Sequence, residues 1–297
     1  MNINNFITFD IEEWFHANYE EANSEARETT LGSGLDLSQY SGTSTNLESN
    51  VDRLIDLCAE YGVKSTCFIL GDVAKNKPYV VKKLFEAGHE IASHGMSHKL
   101  IYPMSPNEFH ADLKYSTDTI EQITGHKIVG FRAPSWSLKR GTLPWFYEIL
   151  AEEGFLYSSS VYPAKNTIFG IPNFPNSPHY PTYSPVLEIP QSVMNLFGNK
   201  VGYAGGGYLR FFPTWLIKRE IGLKNREGKP VFIYLHPREI DIHQPRLKLG
   251  LMDGYFHYQG IPGCEKKISS LLEEFQHSFI RMDEYVLKSQ GLFPPAV

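Results

Sequence analysis

Short apolar runs alternate with amphipathic segments along most of this chain, and few folds accommodate that pattern. "NFITFDI" (5–11), "VKSTCFIL" (63–70), "HEIAS" (89–93), "KIVGF" (127–131), "EIP" (188–190) and "KPVFIYLH" (229–236) read as buried strands. Helices fit between them. In 46–62, Leu47, Val51, Leu54, Ile55, Cys58 and Tyr61 recur at helical spacing, with Thr45 and Glu48 as a capping box and Gly62 as the stop. "YVVKKLFEAG" (79–88) is a short helix ended by Gly88. "SPNE" (105–108) combines a Ser cap, a Pro at the first helical position and a Glu three on, opening a helix to about residue 124. Further helices fit near 142–153, 213–225 and 262–276. Such alternation implies parallel strands joined by crossover helices. The expectation is an α/β fold, a distorted or incomplete (β/α) barrel of about seven parallel strands. All of 1–297 reads as one domain, with a core at about 5–245 and a helical C-terminal extension at about 246–297.

In such barrels the chemistry sits at the C-terminal ends of the strands. Asp10, His94, Arg132 and His236 each fall at or just after a proposed strand end. Two stretches interrupt the alternation. Residues 16–45 are polar, and 162–186 are rich in proline and aromatic residues. Loops that long in a compact domain are usually functional or disordered, and the aromatics of 162–186 argue for the former.

The balance of charge narrows the partners. A net charge of −5 gives no basic excess for nucleic acid. No run reaches the roughly 18 apolar residues of a membrane span. The N-terminus shows no signal-peptide pattern. Cys58, Cys67 and Cys264 are scattered, which argues against a disulfide framework or a cysteine zinc site. A reducing, cytoplasmic setting is expected.

"SHGMSH" (93–98) places His94 and His98 four apart, a spacing that on a helical turn lets two imidazoles reach one metal. Two histidines do not make a catalytic site; a third ligand is needed. Asp10, Glu12 and Glu13 in "TFDIEEW" follow the first strand. Carboxylates there are costly unless paired or metal-bound. Arg132 in "GFRAPSWS" requires a carboxylate partner, and Asp10 is the candidate. His236 in "FIYLHPRE" is poised to move a proton near neutrality. Each has an ordinary alternative: a solvated carboxylate, a surface arginine, a satisfied core histidine.

In order, "TFD", "SHGMSH", "FRAPS" and "YLH" resemble the motifs of the NodB-homology polysaccharide deacetylases, carbohydrate esterase family 4. "GGGYLRFFP" (205–213) and "LHPREIDIHQPR" (235–246) resemble the sub-branch found in bacterial exopolysaccharide and surface-polysaccharide gene clusters. The resemblance implies a NodB-like barrel that removes N-acetyl groups from an amino sugar or polysaccharide precursor. It makes His94 and His98 metal ligands, Asp10 the general base, Arg132 its support, and His236 the general acid. Ser135 would offer its backbone N–H to the oxyanion. The family's two adjacent aspartates are absent, because residue 11 is Ile. Glu12 is then the expected carboxylate ligand, with Glu13 the fallback. An aspartate that often steadies the arginine is replaced by Ser158. Zn²⁺ is expected, with Co²⁺ or Ni²⁺ suiting the same ligands. Trp136 and Tyr162 are the expected sugar-stacking aromatics. Two other readings stay open: hydrolysis of small C–N compounds such as cyclic ureides or imides, and a sugar-binding module that has lost its metal.

Overall fold

The computed structural model describes residues 3–16, 46–165, 170–246 and 251–291. Most of the 16–45 loop, the expected cap Thr45 and part of the 162–186 loop therefore lie outside the described residues.

Seven parallel strands form one curled sheet, consistent with an incomplete barrel. They are β1 (Phe6–Ile11), β2 (Thr66–Ile69), β3 (Glu90–Ser93), β4 (Gly130–Phe131), β5 (Tyr157–Ser158), β6 (Leu187–Glu188) and β9 (Phe232–Leu235). Their order is β6-β5-β4-β3-β2-β1-β9, so β6 and β9 are the two ends of the sheet. A hairpin of β7 (Val193–Leu196) and β8 (Asn199–Gly202) is inserted between those ends in the chain. Gly205 then bridges Tyr234 of β9 in parallel. That approach needs glycine: a Cβ at Gly205 would lie 2.0 Å from the Tyr234 ring.

Alternation along β1 builds two faces. Ile7, Phe9 and Ile11 join the large core under the helices, whereas Phe6 packs with Phe68, Tyr157, Phe232 and Tyr234 inside the curl. Thr8 and Asp10 share the parity of Phe6, so polar groups enter the interior near the strand end. The register runs level there: Ile11 partners Ile69, Ile69 partners Ser93, Ser93 partners Phe131 and Phe131 partners Ser158. Residues just after those positions converge.

The helices are α1 (Leu47–Glu60), α2 (Gly71–Asn76), α3 (Pro78–Glu86), α4 (Pro106–Thr124), α5 (Leu143–Glu152), α6 (Gly206–Phe211), α7 (Thr214–Arg226), α8 (Leu251–Tyr258), α9 (Ile261–Phe275) and α10 (Met282–Ser289). The α4 cap is the one expected: Ser105 Oγ accepts from Glu108 N, and the Glu108 carboxylate accepts from Ser105 N at 2.7 Å. The α1 cap differs. Asn46 is the N-cap without a side-chain bond to the helix, because its amide donates instead to the Asp241 carboxylate. At the opposite end of the barrel, Glu90 accepts from Thr66 Oγ1 at 2.6 Å, Tyr157 Oη at 2.7 Å and Asp283 N at 3.0 Å, which ties α10 beneath the sheet.

Candidate active site

Asp10, Glu12, His94, His98, Arg132 and His236 meet at the C-terminal end of the sheet. Glu12 lies two residues beyond Asp10 and is only 3% exposed. Its Oε2 approaches His98 Nε2 to 3.0 Å, and its Oε1 lies 3.7 Å from His236 Nε2. One ligand atom each from Glu12, His94 and His98 fall within 4.8 Å of one another. Glu13 departs from this group, with Oε1 3.4 Å from Lys77 Nζ.

The histidines are not on a helical turn, as their spacing had suggested. They bracket a loop after β3. Gly95 turns it with φ +76°, and His98 itself has φ +58°. The first N–H groups of α2 clasp the loop: Gly71 N donates to Gly95 O at 2.9 Å and Asp72 N to Met96 O at 2.8 Å. Asp112 of α4 accepts from Met96 N at 2.9 Å. The two rings come within 5.3 Å of each other because this bend carries them together.

The donor set fits a divalent metal. Arg132 O lies 2.8 Å from His94 Nδ1, so Nδ1 donates and Nε2 keeps its lone pair, the tautomer of a metal ligand. Buried Glu12 Oε2 and His98 Nε2 stand 3.0 Å apart, with a His94 ligand atom close by, so one ion can bridge all three. Burial opposes ionisation of Glu12, but His98 and His236 outweigh it and hold the carboxyl below its usual range. Burial pushes the His94 imidazolium down to about 4, which favours the neutral ring that metals require.

Arg132 is fully buried. Its guanidinium donates to Asp10 Oδ1 at 2.6 Å, Thr8 Oγ1 at 3.0 Å and Ser159 Oγ at 3.1 Å. The Phe68 ring lies 3.9 Å from its Cζ, an arrangement that suits a flat cation. Ser158, expected to leave the arginine short of an anchor, instead bonds Ser160 at 2.8 Å; its neighbour Ser159 supplies the contact.

His236 presents Nε2 to the interior, 3.9 Å from Asp10 Oδ2. Burial lowers its pKa, but Glu12 and Glu239 more than offset this and raise it. Ser135 and Trp136 follow Arg132 in consecutive left-handed conformations, φ 51° and 48°. Trp136 is 6% exposed and packs edge-on against Tyr234. Tyr162 is 2% exposed and its hydroxyl accepts from Gly202 N at 3.0 Å, so its ring is packed in the interior. Thr8, Ser159 and Glu239 were not singled out from sequence. Thr8 could have been, since it is two residues before Asp10. So could Glu239, since "HPRE" has the Pro and Glu of a helix start.

Residues 40–144 match the family model described as polysaccharide deacetylase. The chain thus carries a polysaccharide deacetylase (NodB, carbohydrate esterase family 4) domain over that segment. Residues 159–287 match a second model, described as a domain of unknown function, DUF3473. The chain is similar to a peptidoglycan deacetylase-like protein of Gibberella zeae, 32% identical over 127 residues, or 42% of the chain and 36% of that protein. It is 30% identical over 114 residues to a peptidoglycan deacetylase of Helicobacter pylori, 38% of each. These matches span little more than a third of either relative's length. A putative polysaccharide deacetylase of Mycobacterium smegmatis shares the fold, with a TM-score of 0.63 at 19% identity over 100% of this chain and 93% of the other. So does the Puue allantoinase, with a TM-score of 0.64 at 18% identity over 99% and 92%. Among the described residues no helix is long and apolar enough to cross a membrane.

Proposed function

We propose that the chain hydrolyses an N-acetyl group from an amino sugar in a surface-polysaccharide precursor, using a divalent metal held by Glu12, His94 and His98. The convergence of those three buried side chains beside an Arg132-supported Asp10 carries the reading. The matched deacetylase domain supports the reaction class. The similarity to a peptidoglycan deacetylase and a peptidoglycan deacetylase-like protein supports an N-acetylated glycan as substrate. Zn²⁺ is the ion we favour; Co²⁺ and Ni²⁺ suit the same ligands. All of 1–297 would act as one catalytic unit, since the sheet draws strands from both matched segments. Three buried, unpaired cysteines support a reducing, cytoplasmic setting.

A divalent ion at this site supplies Lewis acidity toward an amide carbonyl and water. Asp10 takes the proton from the attacking water; Arg132 occupies Oδ1 and leaves Oδ2 available. His236 gives a proton to the departing amine. Each such transfer is worth on the order of 10²–10⁴ in rate. The left-handed turn at Ser135 stores strain of a kind found at functional sites, and its backbone N–H is our candidate for the oxyanion. Trp136 is our candidate for the sugar-facing wall.

The test is metal content together with acetate release from N-acetylglucosamine oligomers, with and without chelator, in wild type and His94→Ala. Support is about one metal ion per chain, lost in His94→Ala, with chelator-sensitive release. Metal binding with activity only on small cyclic amides would redirect the substrate. A chain that binds neither zinc nor cobalt overturns the catalytic reading.

A further inference from the structure

We infer that Glu239, backed by Arg210, is a positioning residue for His236, so that the segment matched only as a domain of unknown function completes the active site by aiming its proton donor. The identity of the reaction rests on the reading above; the placement rests on geometry.

Glu239 meets one residue at two points, by a hydrogen bond to its backbone and by proximity to its ring. Its Oε2 accepts the backbone N–H of His236 at 3.2 Å, and its Oε1 lies 3.6 Å from His236 Nδ1. The carboxylate is 1% exposed, and Oε1 is left without a hydrogen bond. A buried carboxylate requires a countercharge. Arg210, 4% exposed, provides it with Nε 3.5 Å from Oε1. Arg210 is in turn pinned at the end of α8, donating to His257 O at 2.9 Å and Gln259 O at 2.7 Å. Gly260, with φ +78°, makes room there, since a Cβ would meet Arg210 O at 2.7 Å. With its Nδ1 edge facing the Glu239 carboxylate, the ring presents Nε2 to Asp10 and Glu12. Glu239 also caps the turn Pro237–Ile240, so a purely structural role is the competing account.

A double-mutant cycle on the zinc-loaded full chain separates the two. Glu239→Gln keeps the volume and one acceptor oxygen but not the second. It should lower kcat on N-acetylglucosamine oligomers at least about tenfold, up to the ~10²–10⁴ of a positioned acid. KM and bound zinc should be unchanged. In a His236→Ala background the same change should cost nothing further. Wild-type kcat in Glu239→Gln, or the same loss in both backgrounds, overturns the inference. Where Glu239→Gln does not fold, Arg210→Lys enters the same cycle, with the same outcomes deciding. If the wild type releases no acetate, the deacetylase reading fails on its own. The positioning role is then judged by the His236 Nδ1 resonance in ¹⁵N-histidine-labelled chain. Glu239→Gln must shift it, and an unmoved resonance overturns the role.

Discussion

Glu12 and Glu13 are the same side chain one residue apart, and the backbone sends them to different work. Strand parity continues past Ile11, so Glu12 shares the interior with Thr8 and Asp10 while Glu13 reaches Lys77. Glu12→Gln should therefore lower metal affinity at least about tenfold, and Glu13→Gln should leave it near wild type, read by titration with zinc. The Arg132–Asp10 pair makes a stability prediction. Removing a buried partner strands the other charge at a cost of about 3–5 kcal/mol. Arg132→Met should show that loss in urea unfolding, whereas Ser159→Ala, which removes one of three hydrogen bonds, should cost about 1 kcal/mol.

Elements position these residues through their ends. The loop that carries both histidines is clasped by the first turn of α2 and by Asp112 of α4, and it bends at a glycine. A Cβ at Gly95 would lie 3.0 Å from Asp112 Oδ2, on a backbone with φ +76°. Gly95→Ala should cost about 1 kcal/mol or more in stability and weaken metal binding, measured by thermal unfolding and zinc titration. The α4 cap offers a contrast. Ser105→Ala should cost about 0.5–2 kcal/mol without changing kcat, since Ser105 is exposed and bonds Glu108 rather than a residue of the candidate site.

Across the whole molecule, buried titratable groups should set how stability varies with pH. Burial pushes His89 and His257 down from 6.5 to about 4. Their folded pKa values are depressed, so the unfolded chain takes up their protons first, and stability is lost as pH falls from about 6.5 through about 4. Burial pushes Glu188 up from 4.5 to about 7. Its folded pKa is raised, so its contribution is full below about 4.5 and is lost as pH rises through about 7. Two depressed histidines outweigh one raised glutamate, so the metal-free chain's stability to urea should climb from pH 4 to about pH 6.5, and His89→Asn should flatten that climb. A stability that falls from pH 4 to 6.5 contradicts this balance.

The sequence alone determined the parallel α/β architecture, because short apolar runs between amphipathic segments have few other solutions. It also located Asp10, His94, Arg132 and His236, because each polar residue ends an apolar run. It did not reveal β5, a strand of only two residues, or the hairpin β7–β8, where the apolar signal is short. Nor could spacing show that His94 and His98 meet across a loop. Only tertiary structure put Glu12 beside the two histidines and Glu13 beside Lys77, brought Ser159 rather than Ser158 to the arginine, and set Arg210 beside Glu239 behind His236. Those choices depend on which way a side chain faces at a strand end and on contacts between residues far apart in the chain. Strand and helix periodicities are local, whereas a site built from several strand ends exists only once the sheet has closed around it.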